Sequence, residues 1–213
     1  LDLVQTLADQ HRSQHNPKTL HSWAKSFIAH GVTGVPQPRW GWKVPYTHVM
    51  IDRLLKGIPP LKYIHLTRNG LDMAFSRNQN QLATWGPIFL NRNIEIGPRD
   101  SLSFWCAVHR RMRTTAAQFP DRVLMLSYDQ LMVRPRLGMA ELLRFVQAEP
   151  QPALLDTCCR FIQPPASLGR HHQHDLSVFR PQDLAYHNSN FVTPPSLPPP
   201  SEAVSYHTPR RPQ

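Results

Sequence analysis

Residues 62–76 constrain the fold more than any other part of the chain. Residues 62–67 are β-prone and apolar at alternating positions, and helical spacing begins soon after Arg68. This order predicts a strand, a tight turn and a helix. Residues 122–127 predict a second buried strand, and residues 100–118 between the two predict a long helix. Strands that alternate with helices favour an α/β fold with a parallel sheet.

Apolar residues at helical spacing predict further helices over residues 1–12, 18–29, 48–56, 136–147 and 152–162. From residue 193 onward the chain consists mainly of Pro, Ser, His and Arg, a composition that cannot form a packed core. We therefore expect one domain over residues 1–192 and a disordered, proline-rich tail over 193–213. A docking ligand for another protein is the alternative interpretation of the tail.

The charge of the chain restricts its partners. The formal net charge is +10, with 24 Lys and Arg against 14 Asp and Glu, which favours anionic ligands such as nucleotides, nucleic acids or acidic polymers. The densest cluster, Arg110, Arg111 and Arg113, is expected on the exposed side of the long helix. Because the remaining basic residues are spread along the chain, a nucleic-acid partner is not favoured.

Three cysteines are too few for a disulfide framework. The sequence also shows neither a leader pattern nor an apolar run of membrane-spanning length. These features predict a cytoplasmic protein without a transmembrane segment. They do not indicate an oligomeric state.

Two side chains near the first predicted strand have the chemistry of a phosphate clamp. In open α/β sheets, ligands bind at the carboxyl ends of the strands, where helix N-termini present free N–H groups to anions. Arg68 follows the strand, and Ser76 lies eight residues later. A guanidinium and a hydroxyl at this edge would hold a phosphate. The alternative is a surface arginine at a turn and a serine within a helix.

Residues 68–76 resemble the 3'-phosphate motif of sulfotransferases, in which an Arg after an apolar strand is followed by Gly, Asp and Ser. Three other segments resemble the same family in the same order. Residues 42–45, Trp-Lys-Val-Pro, are similar to the Lys-x-Pro segment of the bacterial and tyrosylprotein-type branch. Residues 126–131 look like the family's Tyr-Glu-Asp-Leu segment, and residues 164–170 look like its Gly-Arg loop.

The resemblance implies a P-loop-like sulfotransferase fold and transfer of a sulfuryl group from 3'-phosphoadenosine 5'-phosphosulfate (PAPS) to a hydroxyl or amine acceptor, without a metal. By this resemblance Arg68 and Ser76 hold the 3'-phosphate, Arg170 adds a cation, and Tyr128 approaches the adenine. Lys43 faces the transferring group, where a fixed ammonium would stabilise negative charge. The alternative for Lys43 is a surface lysine.

The chain departs from the family pattern at the base and at the 5'-phosphosulfate loop. Pro45 stands where the cytosolic branch has a catalytic His, and His48 is only a weak candidate for the base. No Gly-rich loop after an apolar strand is evident, and Pro17-Lys18-Thr19 is a superficial likeness. We therefore expect the C-terminal portion of a sulfotransferase fold, inactive without an upstream segment.

Two alternatives remain open from the sequence. One is a degenerate, non-catalytic nucleotide-binding fragment of a sulfotransferase, and the other is a basic nucleic-acid-binding protein. The histidines at positions 171, 172 and 174 could suggest a metal, but without acidic or Cys partners at regular spacing they are more typical of a solvated loop. The acceptor is not indicated.

Overall fold

The structure is a computed structural model that describes Gly41 and residues 43–191. The helices predicted over residues 1–12 and 18–29, the Pro17-Lys18-Thr19 segment and the proline-rich tail lie outside the described residues. Trp42 lies outside them as well. The structure therefore does not test what the sequence predicts for these segments.

The two predicted strands form a parallel pair. Strand β1 is Tyr63–Thr67 and strand β2 is Val123–Ser127, and they pair in register from Tyr63 opposite Val123 to Thr67 opposite Ser127. Both strands therefore end at the same edge. The prediction of an α/β fold with a parallel sheet is confirmed for the described residues. Its physical basis is the long crossover that a parallel connection requires, here three helices between the strands.

Eight α-helices accompany the strands in the described part of the chain. In chain order they are α1 (Thr47–Gly57), α2 (Gly70–Ala74), α3 (Asn80–Leu90), α4 (Pro98–Gln118), α5 (Tyr128–Val133), α6 (Pro135–Phe145), α7 (Pro152–Cys159) and α8 (Pro181–Asn190). Short 3-10 turns at Arg170–Gln173 and Leu176–Val178 precede α8. Helices α1, α2, α4, α6 and α7 confirm the sequence predictions, whereas α3, α5 and α8 were not predicted.

Among the described residues, three clusters of buried apolar side chains pack on or near the strands. One face of the strand pair packs against α1 and α4. The buried members of this cluster are Ile51, Leu55, Met112 and Val123. The other face of β2 packs against α5 through Leu126, Leu131 and Met132. A third cluster joins α2 to α4 and to the segment before α8, its buried members being Leu71, Ala74, Leu102, Cys106 and Phe179. The carboxyl edge of the strands is thus held between packed helices.

The expectation that Arg110, Arg111 and Arg113 form one exposed surface is wrong for Arg111. Arg110 and Arg113 are exposed, but Arg111 is buried on the side of α4 that faces α1. Its guanidinium forms an ion pair with Asp52 and donates to the carbonyl oxygen of His48. Arg111 faces the Asp52 carboxylate across the interface between α4 and α1. This contact depends on how the two helices pack, so the run of arginines in the sequence did not indicate it.

Two further findings concern the described residues. All three cysteines, Cys106, Cys158 and Cys159, are free thiols. Within the described ranges, no helix has the combined length and apolar character that a membrane crossing demands.

Candidate functional site

The turn after β1 is fixed by Asn69 and Gly70. The Asn69 side-chain oxygen accepts hydrogen bonds from the backbone N–H of Leu71 at 2.8 Å and of Asp72 at 3.3 Å, which caps α2. Gly70 lies against Trp105 of α4, where a Cβ would come within 2.6 Å of the indole. The glycine is therefore required for close packing of the turn on α4.

Asp129 joins the end of β1 to the end of β2. Its Oδ2 accepts a hydrogen bond of 2.7 Å from the Asn69 backbone N–H, and the carboxylate is buried. Burial raises the pKa of Asp129, although the Asn69 N–H and the nearby Arg68 favour the charged form. Because Asp129 lies in the first turn of α5, just after β2, this contact fixes the relative position of the segments that follow the two strands.

Asp72 binds the distant loop at residues 164–171 to α2. Its carboxylate accepts three hydrogen bonds, from the Gly169 N–H at 2.7 Å, the His171 N–H at 3.0 Å and the His171 Nδ1 at 2.6 Å. The side chain of Asp72 is 1% exposed. Gly169 has φ 73°, a left-handed conformation that favours glycine and turns the loop toward Asp72. One buried carboxylate therefore holds the loop against the phosphate motif.

Burial alone would raise the pKa of Asp72, but the hydrogen bonds from His171 and Gly169 outweigh it and lower the pKa. Asp72 is therefore ionised at neutral pH. The expectation that the three histidines lie in a solvated loop is wrong for His171, which is buried because its ring donates toward this carboxylate. His172 and His174 are exposed. Among the described residues no group of three or more possible metal ligands is found.

Arg68 lies at the junction of these three segments. Its Nη2 donates to the backbone oxygen of Ser167 at 2.7 Å and to the Ser167 hydroxyl at 2.8 Å. The guanidinium carbon lies 5.5 Å from the centre of the Tyr128 ring, and Nη2 lies 4.0 Å from Asp72. The Arg68 Nε is buried and has no hydrogen-bond partner in the described residues. One donor of the guanidinium is thus unpaired at the carboxyl end of β1.

Arg170 contacts the chain next to Ser76, just after the C-terminal end of α2. The Arg170 Nη1 donates to the carbonyl oxygen of Phe75 at 3.3 Å, and Phe75 immediately precedes Ser76. The Ser76 hydroxyl accepts a hydrogen bond of 3.3 Å from the Asn78 N–H. No hydrogen bond joins Arg68 to Ser76, and both residues are described. The structure therefore places Arg68 near Tyr128, and Arg170 against the residue that precedes Ser76.

Lys43 and His48 lie at the start of α1, in different surroundings. Lys43 is exposed. His48 is buried, its Nδ1 is 3.2 Å from the Pro45 carbonyl oxygen, and its ring lies 5.8 Å from that of Phe89. Burial, with the nearby Arg111, lowers the pKa of His48 to about 4. His48 thus has a core environment, and the roles of both residues remain predictions.

The sequence matches the model of a known protein family over most of its length. A model described as "Sulfotransferase family" matches residues 3–152. The chain belongs to the sulfotransferase family. No curated protein and no solved structure matches it significantly. The family match includes Arg68, Ser76 and Tyr128, and it ends before the loop at residues 164–171.

Asp72, Asp129 and Ser167 lie within the motif segments, but the sequence alone assigned them no role. Asp72 lies four residues after Arg68, in the short helix that follows the turn, and its carboxylate is 4.0 Å from the Arg68 guanidinium. Asp129 follows Tyr128 in the second motif. Ser167 gave no signal, because its contact with Arg68 joins segments 99 residues apart.

Proposed function

We propose that this sulfotransferase-family protein binds PAPS at the carboxyl edge of β1 and β2 and transfers its sulfuryl group to a hydroxyl or amine acceptor. The proposal includes a P-loop-like arrangement of the sheet, of which the described part supplies the 3'-phosphate side. The observation that carries it is the position of Arg68, with an unpaired N–H, between Tyr128 and the Gly169-Arg170 turn.

The residues around Arg68 fit a phosphate better than an uncharged group. A 3'-phosphate would compete with Ser167 for the Arg68 Nη2, and the buried Nε–H would become available to it once the guanidinium turned toward the ligand. The Asp72 charge is already bound by the loop, which leaves Arg68 and Arg170 as the cations for an incoming anion. Tyr128 presents an aromatic ring at the same edge, as expected of a residue that contacts adenine.

Lys43 supplies the second part of the proposal. In sulfuryl transfer, negative charge grows on the departing 5'-phosphate as the sulfur–oxygen bond breaks. A cation at this point lowers the barrier. The Lys43-Val44-Pro45 segment supports assignment to the bacterial and tyrosylprotein-type branch, and exposure of Lys43 leaves it accessible to the donor.

The nucleotide site is tested by calorimetry. We expect 3'-phosphoadenosine 5'-phosphate to bind at least about tenfold more tightly than 5'-AMP, since a charged hydrogen bond contributes about 1.5–3 kcal/mol. Arg68→Ala should remove most of this preference while leaving 5'-AMP binding nearly unchanged. Equal affinity of the unsubstituted protein for the two nucleotides would exclude the assignment.

Arg136→Ala is the matched control. Arg136 is half exposed and forms an ion pair with Asp156 on α7, away from the contacts of Arg68. Arg136→Ala removes the same charge from the chain as Arg68→Ala. The variant therefore shows how much of the nucleotide preference comes from the overall positive charge of the protein. We expect the preference to persist in this variant. A loss equal to that of Arg68→Ala would show that net charge, and not a 3'-phosphate site, discriminates the nucleotides.

A further inference from the structure

Arg68 and Ser167 form a contact that a 3'-phosphate would have to break. The Arg68 Nη2 donates to both oxygens of Ser167, to the backbone carbonyl at 2.7 Å and to the hydroxyl at 2.8 Å. Arg68 is also the residue proposed to bind the 3'-phosphate. Ser167 and the phosphate therefore compete for the same guanidinium nitrogen.

Ser167 has the properties of a partner that a phosphate can displace. The residue is half-buried, and its neighbours Pro164 and Ala166 are exposed. The Arg68 side chain is 24% exposed, so an incoming anion can reach it. Hydrogen bonds between a guanidinium and a phosphate are shorter and stronger than those to neutral oxygens. A phosphate therefore replaces Ser167 at a gain in hydrogen-bond strength.

The loop on both sides of Ser167 is anchored without the help of Arg68. Ile162 and Leu168 pack against the buried cluster that joins β2 to α5. The Asp72 carboxylate accepts the Gly169 N–H at 2.7 Å. Only the short segment around Ser167 has to move when Arg68 turns to a ligand. The exchange of partners is therefore local, and the serine stays close enough to return.

Nearby carboxylates limit how strongly Arg68 can hold an anion. The Asp72 carboxylate lies 4.0 Å from the Arg68 Nη2, and the charge of Arg68 also favours the ionised form of Asp129. Both carboxylates repel a phosphate bound to Arg68, whereas an uncharged serine is not repelled. The two competing partners of Arg68 are thus closer in free energy than their hydrogen bonds alone would make them.

We propose that Ser167 takes the place of the 3'-phosphate on Arg68 as the nucleotide product leaves, and that it thereby sets the rate of product release. This inference rests on the proposed function. A guanidinium that loses its phosphate without gaining another acceptor is left with an unpaired donor, which raises the barrier to dissociation. Ser167 supplies that acceptor from within the loop. Product release limits turnover in many enzymes, so this residue would act on the catalytic cycle without touching the reacting atoms.

The rate at which 3'-phosphoadenosine 5'-phosphate dissociates tests the proposal. Ser167→Ala removes the hydroxyl and keeps the backbone oxygen. We expect the nucleotide to leave this variant about three- to tenfold more slowly, with little change in its association rate, and to bind more tightly by the same factor. Surface plasmon resonance on the immobilised full chain measures both rates. The affinity for 5'-AMP, measured by calorimetry, should not change. An unchanged or faster dissociation of 3'-phosphoadenosine 5'-phosphate would overturn the proposal.

Three further variants show whether the effect passes through Arg68. Ser167→Thr keeps a hydroxyl and should release the nucleotide at nearly the unsubstituted rate. Ser177→Ala is the matched control, because Ser177 is exposed and its hydroxyl donates to Asp175 at 2.6 Å. In an Arg68→Ala background, Ser167→Ala should have no effect on release. An equal slowing in that background would show that Ser167 acts through another group, and it would overturn the proposed exchange.

Failure of this proposal can be told apart from failure of the nucleotide site. If the unsubstituted protein binds 3'-phosphoadenosine 5'-phosphate and 5'-AMP equally, the PAPS assignment fails, and the role of Ser167 in release fails with it. If the 3'-phosphate preference holds while Ser167→Ala releases the nucleotide at the unsubstituted rate, the nucleotide site stands and only the role of Ser167 is overturned.

Discussion

Substitution of Asp72 by Asn tests whether one carboxylate holds the loop at residues 164–171 against the phosphate motif. The change preserves the shape of the side chain and removes its charge. Of the three hydrogen bonds to Asp72, two come from backbone N–H groups of Gly169 and His171 and one from the His171 ring. An asparagine amide has one acceptor oxygen where the carboxylate has two. Its NH₂ group would therefore face the N–H of Gly169 or the donors of His171 without forming a hydrogen bond.

The expected magnitude follows from burial. A hydrogen bond to a charged group contributes about 1.5–3 kcal/mol, and unsatisfied buried donors add a desolvation cost, but contacts that share one partner are not additive. We therefore expect Asp72→Asn to lower the free energy of unfolding by about 2–4 kcal/mol. For a chain of this size the melting temperature should fall by roughly 4–16 °C.

The dependence on pH has a defined sign. Because folding lowers the pKa of Asp72, its contribution to stability is fully present above the unfolded pKa of about 4 and is lost as the pH falls toward the folded value. The difference in stability between the unsubstituted protein and Asp72→Asn should therefore be largest near neutral pH and should shrink in acid.

Urea denaturation followed by circular dichroism measures the global effect, and limited trypsin digestion measures the local one. Arg170 lies within the loop, so release of the loop should accelerate cleavage after Arg170. Asp156→Asn is the matched control, because Asp156 is exposed and its ion pair with Arg136 contributes about 0–1 kcal/mol. An Asp72→Asn protein as stable as this control, with Arg170 cleaved no faster than in the unsubstituted protein, would refute the reasoning.

Two further predictions concern Lys43 and Gly70. In a complete, catalytically active protein, Lys43→Ala should lower kcat with little change in nucleotide affinity, because the charge of Lys43 acts on the leaving phosphate. Steady-state kinetics and calorimetry would contradict this role if nucleotide affinity fell while kcat did not. Gly70→Ala should destabilise the fold by about 1–3 kcal/mol, because the added Cβ would lie 2.6 Å from Trp105. Urea denaturation should show no such loss for Gly57→Ala, where nothing lies within 4 Å, and equal effects at both glycines would contradict the packing argument.

The sequence predicted the strands and the longest helix well, because their signals are local. Alternating apolar residues identified β1 and β2, and a helical stripe identified α4 to within two residues at its start. Short or weakly periodic segments gave no such signal. Helix α5 has six residues, and α3 contains Pro87, so neither shows an extended apolar stripe.

For the candidate site, the sequence by itself determined which residue types follow the strands: Arg68 after β1 and Tyr128 after β2. Parallel pairing then brings both to one edge. Only the tertiary structure decided what surrounds Arg68, since Ser167 is reached across 99 residues and Asp72 binds a loop equally distant. It also decided that Arg111 is buried. Local periodicity reports the conformation of neighbouring residues, whereas a long-range hydrogen bond depends on how the elements pack, which no short window of sequence contains.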